Sequence, residues 1–219
     1  AEVDANPVRY KDSPSNYGLA DSKPGDFRYK DVNGDGVLDI SNTDRAIVGN
    51  YMPDFTYGFG GSLAWRGIDL NVVCQGVQGN EILNLSRRYF YNQEGNMNNY
   101  KGALNRWKSE SEPGDGQTVR ANRVSKGQNG TTSTWHVEDG SYLRIKNIVL
   151  GYTLPAAWTK KAFVSNARIY LSMQNPFTFT SYEGYNPEVS NRSDATTNGE
   201  DYGVYPLART TSLGINLTF

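Results

Sequence analysis

The 219-residue sequence is poor in cysteine, histidine and long hydrophobic runs, and each of these scarcities excludes a class of protein. The single cysteine, Cys74, cannot form an internal disulfide framework or a multi-cysteine metal site. The single histidine, His136, is expected to be an ordinary loop residue, because histidine metal sites and catalytic triads need further partners. No run approaches the roughly 18 apolar residues of a transmembrane helix. A net charge of −1 gives no electrostatic basis for binding nucleic acid.

The sequence also lacks a signal peptide and a recognisable catalytic centre. It opens on a polar, proline-containing stretch, which predicts that the chain comes from within a longer protein. The carboxylates Glu110, Glu112 and Asp115 lie in a stretch rich in Ser, Gly and Pro, where no nucleophile and base are paired. We therefore expect these carboxylates to be solvated and the protein not to be an enzyme.

What the sequence does have is strict alternation at its C-terminus. Apolar residues from Leu213 to Phe219 occupy every second position, and the intervening residues are Gly214, Asn216 and Thr218. This pattern predicts a two-faced strand that ends on an aromatic residue. Such strands are typical of outer-membrane barrels, in which the apolar face contacts lipid and the polar face lines the lumen. A final strand of a soluble β-sandwich has the same alternation and remains the alternative.

Four further segments have the same two-residue period. The predicted strands cover residues 55–66, 68–75, 140–154 and 167–174, and the fifth runs from about Tyr205 to the C-terminus. In the third strand the apolar positions change phase at Lys146 and Asn147, which predicts a β-bulge. The sequence therefore predicts an all-β fold with about five antiparallel strands.

Short and long connections alternate along these strands. The connections Arg66–Gly67 and Pro155–Lys161 are short, whereas much longer stretches follow the second and fourth strands. Bacterial barrels have short periplasmic turns and long extracellular loops, so we expect residues 79–139 and 181–204 to be extracellular. Phe219 then lies at the periplasmic rim. Within the first of these loops, apolar spacing predicts one helix from Asn99 to Ser109.

The alternation also predicts which side chains face lipid and which face the lumen. The lipid-facing set is Tyr57, Phe59, Leu63, Trp65, Ile215 and Leu217. The lumen-facing set is Gly58, Ser62, Asn71, Gly214 and Asn216, together with the charged or amide residues Arg66, Asp69, Gln75, Arg168 and Gln174.

One segment has the spacing of a calcium-binding loop. Oxygen-bearing side chains stand at positions 1, 3, 5 and 9 of an EF-hand-type pattern, namely Asp31, Asn33, Asp35 and Asp39. Gly36 supplies the sharp turn at position 6, and the carbonyl of Val37 is the ligand at position 7. Position 12 is Asn42 instead of Glu, and Asp44 is the anionic candidate for the last ligand. The alternative is an Asx turn that binds nothing.

The loop from residue 31 to residue 44 is not expected to join two helices. The preceding residues Phe27–Lys30 alternate as in a strand, so a helix–loop–helix EF-hand is not expected. A bound Ca²⁺ would brace the loop, because a complete oxygen shell leaves no open position for a substrate.

Several segments together resemble the C-terminal part of SusC/RagA-type TonB-dependent outer-membrane transporters of Bacteroidetes. They occur in the family's order and span nearly the whole chain. The resembling segments are residues 25–36, 48–50, 53–59 with the strand material that follows through Gln75–Gly76, 140–155, 185–188 and 205–219. Compared with the family pattern, two extra residues precede Asp44.

The resemblance implies a barrel of about 22 strands with a plugged lumen, located in the outer membrane of a Gram-negative bacterium. It implies that residues 1–54 are an extracellular loop region, that residues 55–219 are the C-terminal barrel strands, and that the plug domain is absent from this chain. Five strands cannot close a barrel and would leave open edges in lipid, so the chain is expected to be a fragment.

The resemblance also implies partners and a function. The partners are the plug and remaining strands of the same transporter, a SusD-like lipoprotein, TonB through the missing N-terminal part, and outer-membrane lipid. The function is nutrient import, of an oligosaccharide or a peptide, and Phe219 acts as an assembly signal as well as an interfacial anchor. The alternative function is a secreted calcium-binding β-sandwich or carbohydrate-binding module.

Overall fold

Five long strands form one antiparallel sheet in the computed structural model of this chain, which describes residues 9–10, 23–39, 42–94, 97–122, 129–189 and 198–219. Parts of the predicted loop regions 1–54, 79–139 and 181–204 lie outside the described residues. The chain forms two compact units, and they are described separately. One comprises residues 1–49 and 83–137, and the other comprises residues 50–82 and 138–219.

The sheet belongs to the second unit, and its strands pair in the order in which they occur along the chain. The strands are β3 (Phe55–Trp65), β4 (Ile68–Gln78), β7 (Tyr142–Thr153), β8 (Asn166–Thr180) and β10 (Thr210–Thr218). Each neighbouring pair is antiparallel. With 9 to 15 residues each, they reach the roughly 9–11 residues that a tilted strand needs to cross a bilayer. The predicted all-β fold is confirmed.

The turn between β3 and β4 is a two-residue hairpin. Arg66 and Gly67 both have positive φ angles, of 49° and 85°, which is the conformation of a type I′ hairpin turn. A Cβ atom on Gly67 would lie 2.8 Å from the carbonyl oxygen of Thr153, so a side chain is excluded at that position. Arg66, expected in the lumen-facing set, lies in this turn instead, and its guanidinium stacks on the ring of Trp65 at 4.9 Å.

The predicted bulge at Lys146 and Asn147 is confirmed. Against β4, Lys146 is the extra residue between Ile145 and Asn147, and the pairing of β7 with β8 shifts at the same place. The facing strand β8 is also irregular at this level, where Asn175 has a φ of 49°. The bulge explains the change of phase in the sequence, because it lets apolar residues return to one face after the insertion.

Register places most of the apolar side chains of the five strands on one face, which we call the apolar face. One row across the sheet consists only of leucines, which we call the leucine row: Leu63, Leu70, Leu150, Leu171 and Leu213. Nothing in the described residues covers its outer members, since Leu213 is 75% exposed and Leu63 is 68% exposed. The opposite face carries Ser62, Asn71 and the other polar residues, and we call it the polar face.

The shorter elements lie in the connections. They are β1 (Arg9–Tyr10), β2 (Val37–Leu38), β5 (Glu81–Asn84), β6 (Val137–Asp139), β9 (Glu200–Asp201), the helices α1 (Arg87–Phe90) and α2 (Ala156–Thr159), and 3-10 turns at Lys101–Asn105, Thr134–His136 and Lys160–Ala162. Strands β1 and β2 pair in parallel, and β6, β5 and β9 form a three-stranded sheet in that order. Among the described residues, no helical segment combines the length and the apolar composition of a membrane span.

Two predicted elements of the first unit are wrong. The expected helix Asn99–Ser109 is only a five-residue 3-10 turn, because Arg106 is extended and the N–H of Trp107 donates to the carbonyl oxygen of Thr118. The expected strand Phe27–Lys30 does not form, and the backbone N–H of Phe27 donates to Asn129 Oδ1 at 2.8 Å. In both places a tertiary contact takes the backbone group that the regular element would have used.

The boundaries of two predicted strands also change. The last strand begins at Thr210 instead of Tyr205, because Pro206 has no N–H to donate to a ladder. The fourth strand continues to Thr180, because the irregularity at Asn175 resets its phase and returns Phe177 and Phe179 to the apolar face.

Candidate functional site

The polar face carries a hydrogen-bonded lining between its strands. On β3 and β4, the directly opposite residues Asn71 and Ser62 are joined by a bond of 2.7 Å from Nδ2 to Oγ. Both were expected in the lumen-facing set. The alternation of the sequence therefore identified the side of the sheet on which these polar groups meet.

An ion pair crosses this face from β8 to β4, over the strand that separates them. Arg168 donates from Nε to Asp69 Oδ1 at 2.9 Å and from Nη2 to Oδ2 at 2.5 Å. The pair passes over Gly151 of β7, where a Cβ atom would lie 2.5 Å from Asp69 Oδ1 and closer still to Arg168 Nη2. The guanidinium also stacks on Tyr170 at 5.2 Å. The ion pair thus joins three strands, and the missing side chain of Gly151 makes room for it.

Replacing Gly151 by alanine is expected to destabilise the folded protein by about 1–3 kcal/mol, the usual cost of overpacking a filled position. The added methyl group must displace Asp69 or Arg168. Gly61→Ala is the matched control, because a Cβ atom there meets nothing within 4 Å. The measurement is the denaturant midpoint of the full-length protein. Equal midpoints for the two variants would show that the crossing at Gly151 imposes no constraint.

Arg144 of β7 is the most buried charged group of the polar face, with 3% of its surface exposed. Its Nε donates to Thr178 Oγ1 at 2.9 Å, its Nη2 donates to Asn186 Oδ1 at 3.0 Å, and its Nη1 donates to Glu188 Oε2. The nearby ammonium of Lys146 donates to Gln75 Oε1 at 2.9 Å. The alternation of the sequence placed Gln75 on this face. It did not identify Arg144 and Glu188 as partners, because Arg144 lies on a strand and Glu188 lies in a loop, and alternation does not show which residues of two such segments meet.

The calcium-type loop is built from Asx turns. Asp31 accepts the backbone N–H groups of Gly34, at 2.6 Å, and Gly36, at 2.7 Å. In the same way Asn33 Oδ1 accepts the N–H of Asp35 at 3.0 Å. These contacts bend the chain around the side-chain oxygens, and each oxygen keeps a second lone pair.

The second half of the loop is fixed by Asp44. Its carboxylate accepts the N–H of Asp39 at 2.6 Å and the N–H of Val32 at 2.8 Å. The hydrogen bond from Asp39 is the main reason that the pKa of Asp44 lies below its ordinary value. Asp35 Oδ1 accepts the N–H of Val37 at 2.8 Å. Within the described ranges, no three His, Cys, Asp or Glu side chains form a group that could hold a metal ion.

His136 is fully buried, although the sequence suggested an ordinary loop position. Its Nδ1 accepts the backbone N–H of Ser133 at 3.2 Å, and its Nε2 has no partner among the described residues. Burial, followed by repulsion from Arg87 and Arg88, lowers its pKa from 6.5 to about 4. The imidazole is therefore neutral at physiological pH.

The first unit is expected to lose stability as the pH falls from 6.5 to 4. Below pH 6.5 the unfolded chain protonates His136 while the folded chain does not, so the loss reaches about 3 kcal/mol below pH 4. Hydrogen exchange of amides in residues 83–137 of the full-length protein measures this change. His136→Gln removes the titration and should flatten the pH dependence over this interval. An unchanged pH dependence in the variant would contradict the assignment.

Aromatic side chains collect at the end of the sheet that holds the Arg66–Gly67 turn. We call this set the aromatic girdle: Trp65, Trp158, Phe163 and Phe219. Phe163 is 92% exposed and Phe219 is 84% exposed, and the neighbouring backbone is fixed by a bond from the N–H of Ser165 to the carbonyl oxygen of Thr218 at 2.7 Å. Exposed aromatic rings at one level of a sheet are characteristic of a membrane interface.

The amino-acid sequence is similar to TonB-dependent receptors. TonB-dependent receptor P3 of Formosa agariphila is 37% identical over 206 residues, which cover 91% of this chain and 19% of that protein. TonB-dependent receptor SusC of Bacteroides thetaiotaomicron is 35% identical over 94 residues, which cover 42% of this chain and 9% of SusC. The chain thus spans about a fifth of the length of P3. It matches no protein-family model.

The fold is similar to part of a solved transporter. The RagAB peptide transporter superposes on 79% of this chain with a TM-score of 0.64 and 27% sequence identity, and the match covers 18% of that transporter chain.

Proposed function

This chain belongs to the TonB-dependent receptors of the SusC/RagA type, which are outer-membrane proteins of Gram-negative bacteria, and we propose that it forms the C-terminal barrel strands of a nutrient importer. The observation that carries the proposal is the two-faced sheet. Its apolar face is exposed, and its polar face is joined by Asn71–Ser62 and Arg168–Asp69 contacts. A solute path lined by such groups suits polar nutrients.

The imported nutrient is an oligosaccharide or a peptide. The structural neighbour RagAB is a peptide transporter, which supports the peptide class. Similarity to SusC supports a SusD-like lipoprotein as the partner on the outer side. The plug domain and the segment that contacts TonB belong to the rest of the same transporter. The relatives are receptors and transporters, not enzymes, as the absence of a paired nucleophile and base predicted.

The alternative function, a secreted β-sandwich or carbohydrate-binding module, does not account for the apolar face. A sandwich needs a second sheet against that face, and the described residues leave Leu63 and Leu213 uncovered. Exposed leucines across a whole sheet are instead suited to lipid.

Growth of a deletion strain tests the importer. The full-length gene is deleted, and growth is measured on a panel of oligosaccharides, polysaccharides and protein digests, with a strain lacking TonB as the control. We expect the deletion strain to fail to grow on some of the nutrients on which the strain lacking TonB also fails. Restoring the full-length gene should restore its growth on them. Growth on every nutrient that requires TonB would contradict the proposal.

We also propose that the loop from Asp31 to Asp44 binds one structural Ca²⁺. The ligands would be Asp31, Asn33, Asp35, the Val37 carbonyl, Asp39 and Asp44, and their spacing in the sequence supports the proposal. Among the described residues, these carboxylates do not form a metal-holding group, so the ion would have to draw them together. The ion would supply a cross-link between the two halves of the loop.

Asp31→Asn is expected to weaken calcium binding at least tenfold, because it removes an anionic ligand from a site whose affinity depends on charge. Binding is measured by calorimetry on the full-length protein, with Glu110→Gln as a control for the loss of one exposed carboxylate. Protection of the loop from protease should require calcium in the parent and the control. Absence of heat in the parent at millimolar calcium would identify the loop as an Asx turn alone.

A further inference from the structure

The segment Tyr182–Val189, which follows β8, is attached to the polar face through one carboxylate. Glu188 Oε1 accepts the hydroxyl of Tyr142 at 2.7 Å and the amide of Gln75 at 2.6 Å, while Oε2 accepts Arg144 Nη1. These donors stand on β7 and β4. Through Arg144 Nε and Thr178, the same network reaches β8.

Register determines the side on which this attachment lies. Gln75 is directly opposite Arg144, and Arg144 is directly opposite Thr178, so all three side chains share a face. The two-residue period from Gln75 back to Asn71 makes this the polar face. The segment therefore folds over the side of the sheet that lines the solute path in the proposed importer.

The local sequence shapes the segment for this contact. Asn186 Oδ1 accepts the backbone N–H of Glu188 at 3.2 Å and also accepts Arg144 Nη2 at 3.0 Å. Pro187, between them, restricts its own backbone to one φ value. At the base, Tyr182 donates its hydroxyl to Asp201 Oδ2 at 2.5 Å, and both residues are buried.

Every polar atom named in this network has a partner, which favours a single position of the segment. Burial raises the pKa of Glu188, but hydrogen bonds from Tyr142 and Arg144 outweigh it, so the pKa lies below its ordinary value. The carboxylate is therefore charged at neutral pH. Arg144 is buried and Glu188 is partly exposed. An ion pair to a buried arginine favours one geometry, because any displacement leaves the buried charge without a partner.

We propose that Tyr182–Val189 is an inner strap, held on the barrel wall by the Glu188–Arg144 pair, and that it narrows the solute path and so limits the size of the imported nutrient. The effect on solute size rests on the proposed function, because only an importer has a solute path along the polar face. The position of the strap rests on its hydrogen bonds alone. Glu188 and Arg144 are positioning residues, since they act through the strap.

Spin-label distances in the full-length transporter test the position of the strap. One label replaces Tyr185, which is largely exposed on the strap, and the other replaces Leu63 on the apolar face. We expect one narrow distance distribution in the parent. Glu188→Ala and Arg144→Met should each broaden it and add longer distances, because the strap loses its attachment.

Two further variants separate release of the strap from a general loss of structure. Glu110→Gln removes an exposed carboxylate elsewhere in the chain and should leave the distribution narrow. Glu188→Gln keeps the side-chain volume but removes the charge, and should give an intermediate width. Samples are compared only as folded barrels, selected by heat-modifiable mobility. An unchanged distribution in both Glu188→Ala and Arg144→Met would overturn the proposal.

A second measurement tests the effect on size. Uptake is measured for a series of increasing length within whichever nutrient class the transporter imports. Glu188→Ala should admit longer members than the parent does, whereas Glu110→Gln should not. If the strap is released but the longest imported nutrient stays the same, the strap does not limit nutrient size. If the parent imports no nutrient, the proposed function fails while the distance result still decides the position of the strap.

Discussion

An arginine in place of Leu213 is expected to destabilise the folded barrel by about 2–4 kcal/mol, whereas an arginine one residue earlier, in place of Ser212, is expected to cost little. The two positions are neighbours on β10, so the added side chain and charge are the same. They differ only in the face to which they belong. Leu213 is a member of the leucine row, and Ser212 is opposite Ser172 on the polar face.

The physical reason is the solvent on each side. On the apolar face a guanidinium must enter hydrocarbon or bend toward the interface, and either costs free energy. On the polar face the same group meets water and hydrogen-bonding side chains. The measurement is the free energy of unfolding of the full-length protein in lipid vesicles, from denaturant titration. Equal losses for the two variants, or a larger loss for Ser212→Arg, would contradict the assignment of faces.

The strands were predictable from the sequence because alternation is a local signal. A period of two residues identifies a strand and its two faces without knowledge of the neighbouring strand. The bulge at Lys146 was predictable for the same reason, since the insertion leaves a change of phase in the sequence itself. The alternation of short and long connections then predicted which ends of the strands face the periplasm.

Elements whose backbone bonds go to distant residues were not predictable. The N–H of Phe27 donates to Asn129, 102 residues away, and this contact replaces the expected strand. The ring of Trp107 packs against the backbone of Gly25, where an added Cβ atom would lie only 2.6 Å away. Trp107 belongs to the segment in which a longer helix was expected. Local periodicity contains no information about such contacts.

The same limit applies to the polar face. Asp69 and Arg168 were expected there individually, but their pairing spans 99 residues and depends on the absence of a side chain at Gly151. The ion pair of Glu188 with Arg144 spans 44 residues. Sequence alternation thus identifies which side chains share a face, and only the register identifies which of them meet.

Deleting Phe219 is expected to lower the amount of folded protein in the outer membrane several-fold while leaving transport per folded molecule unchanged. Phe219 follows the last residue of β10 and is almost fully exposed, so its ring contributes little to packing within the described residues. A packing role alone would cost at most a few kcal/mol and would not affect insertion. A role in assembly requires the ring before the barrel has closed, when the terminal strand must be recognised.

Trp158→Ala is the matched control, because Trp158 belongs to the same aromatic girdle and is also exposed. If Phe219 only anchors the barrel at the interface, the two variants should lose similar amounts of folded protein. If it also signals assembly, the deletion should lose much more. Heat-modifiable mobility of outer-membrane fractions at equal expression measures the folded amount. A folded amount equal to that of the parent would contradict both roles of Phe219, because neither anchoring nor assembly would then depend on the terminal ring.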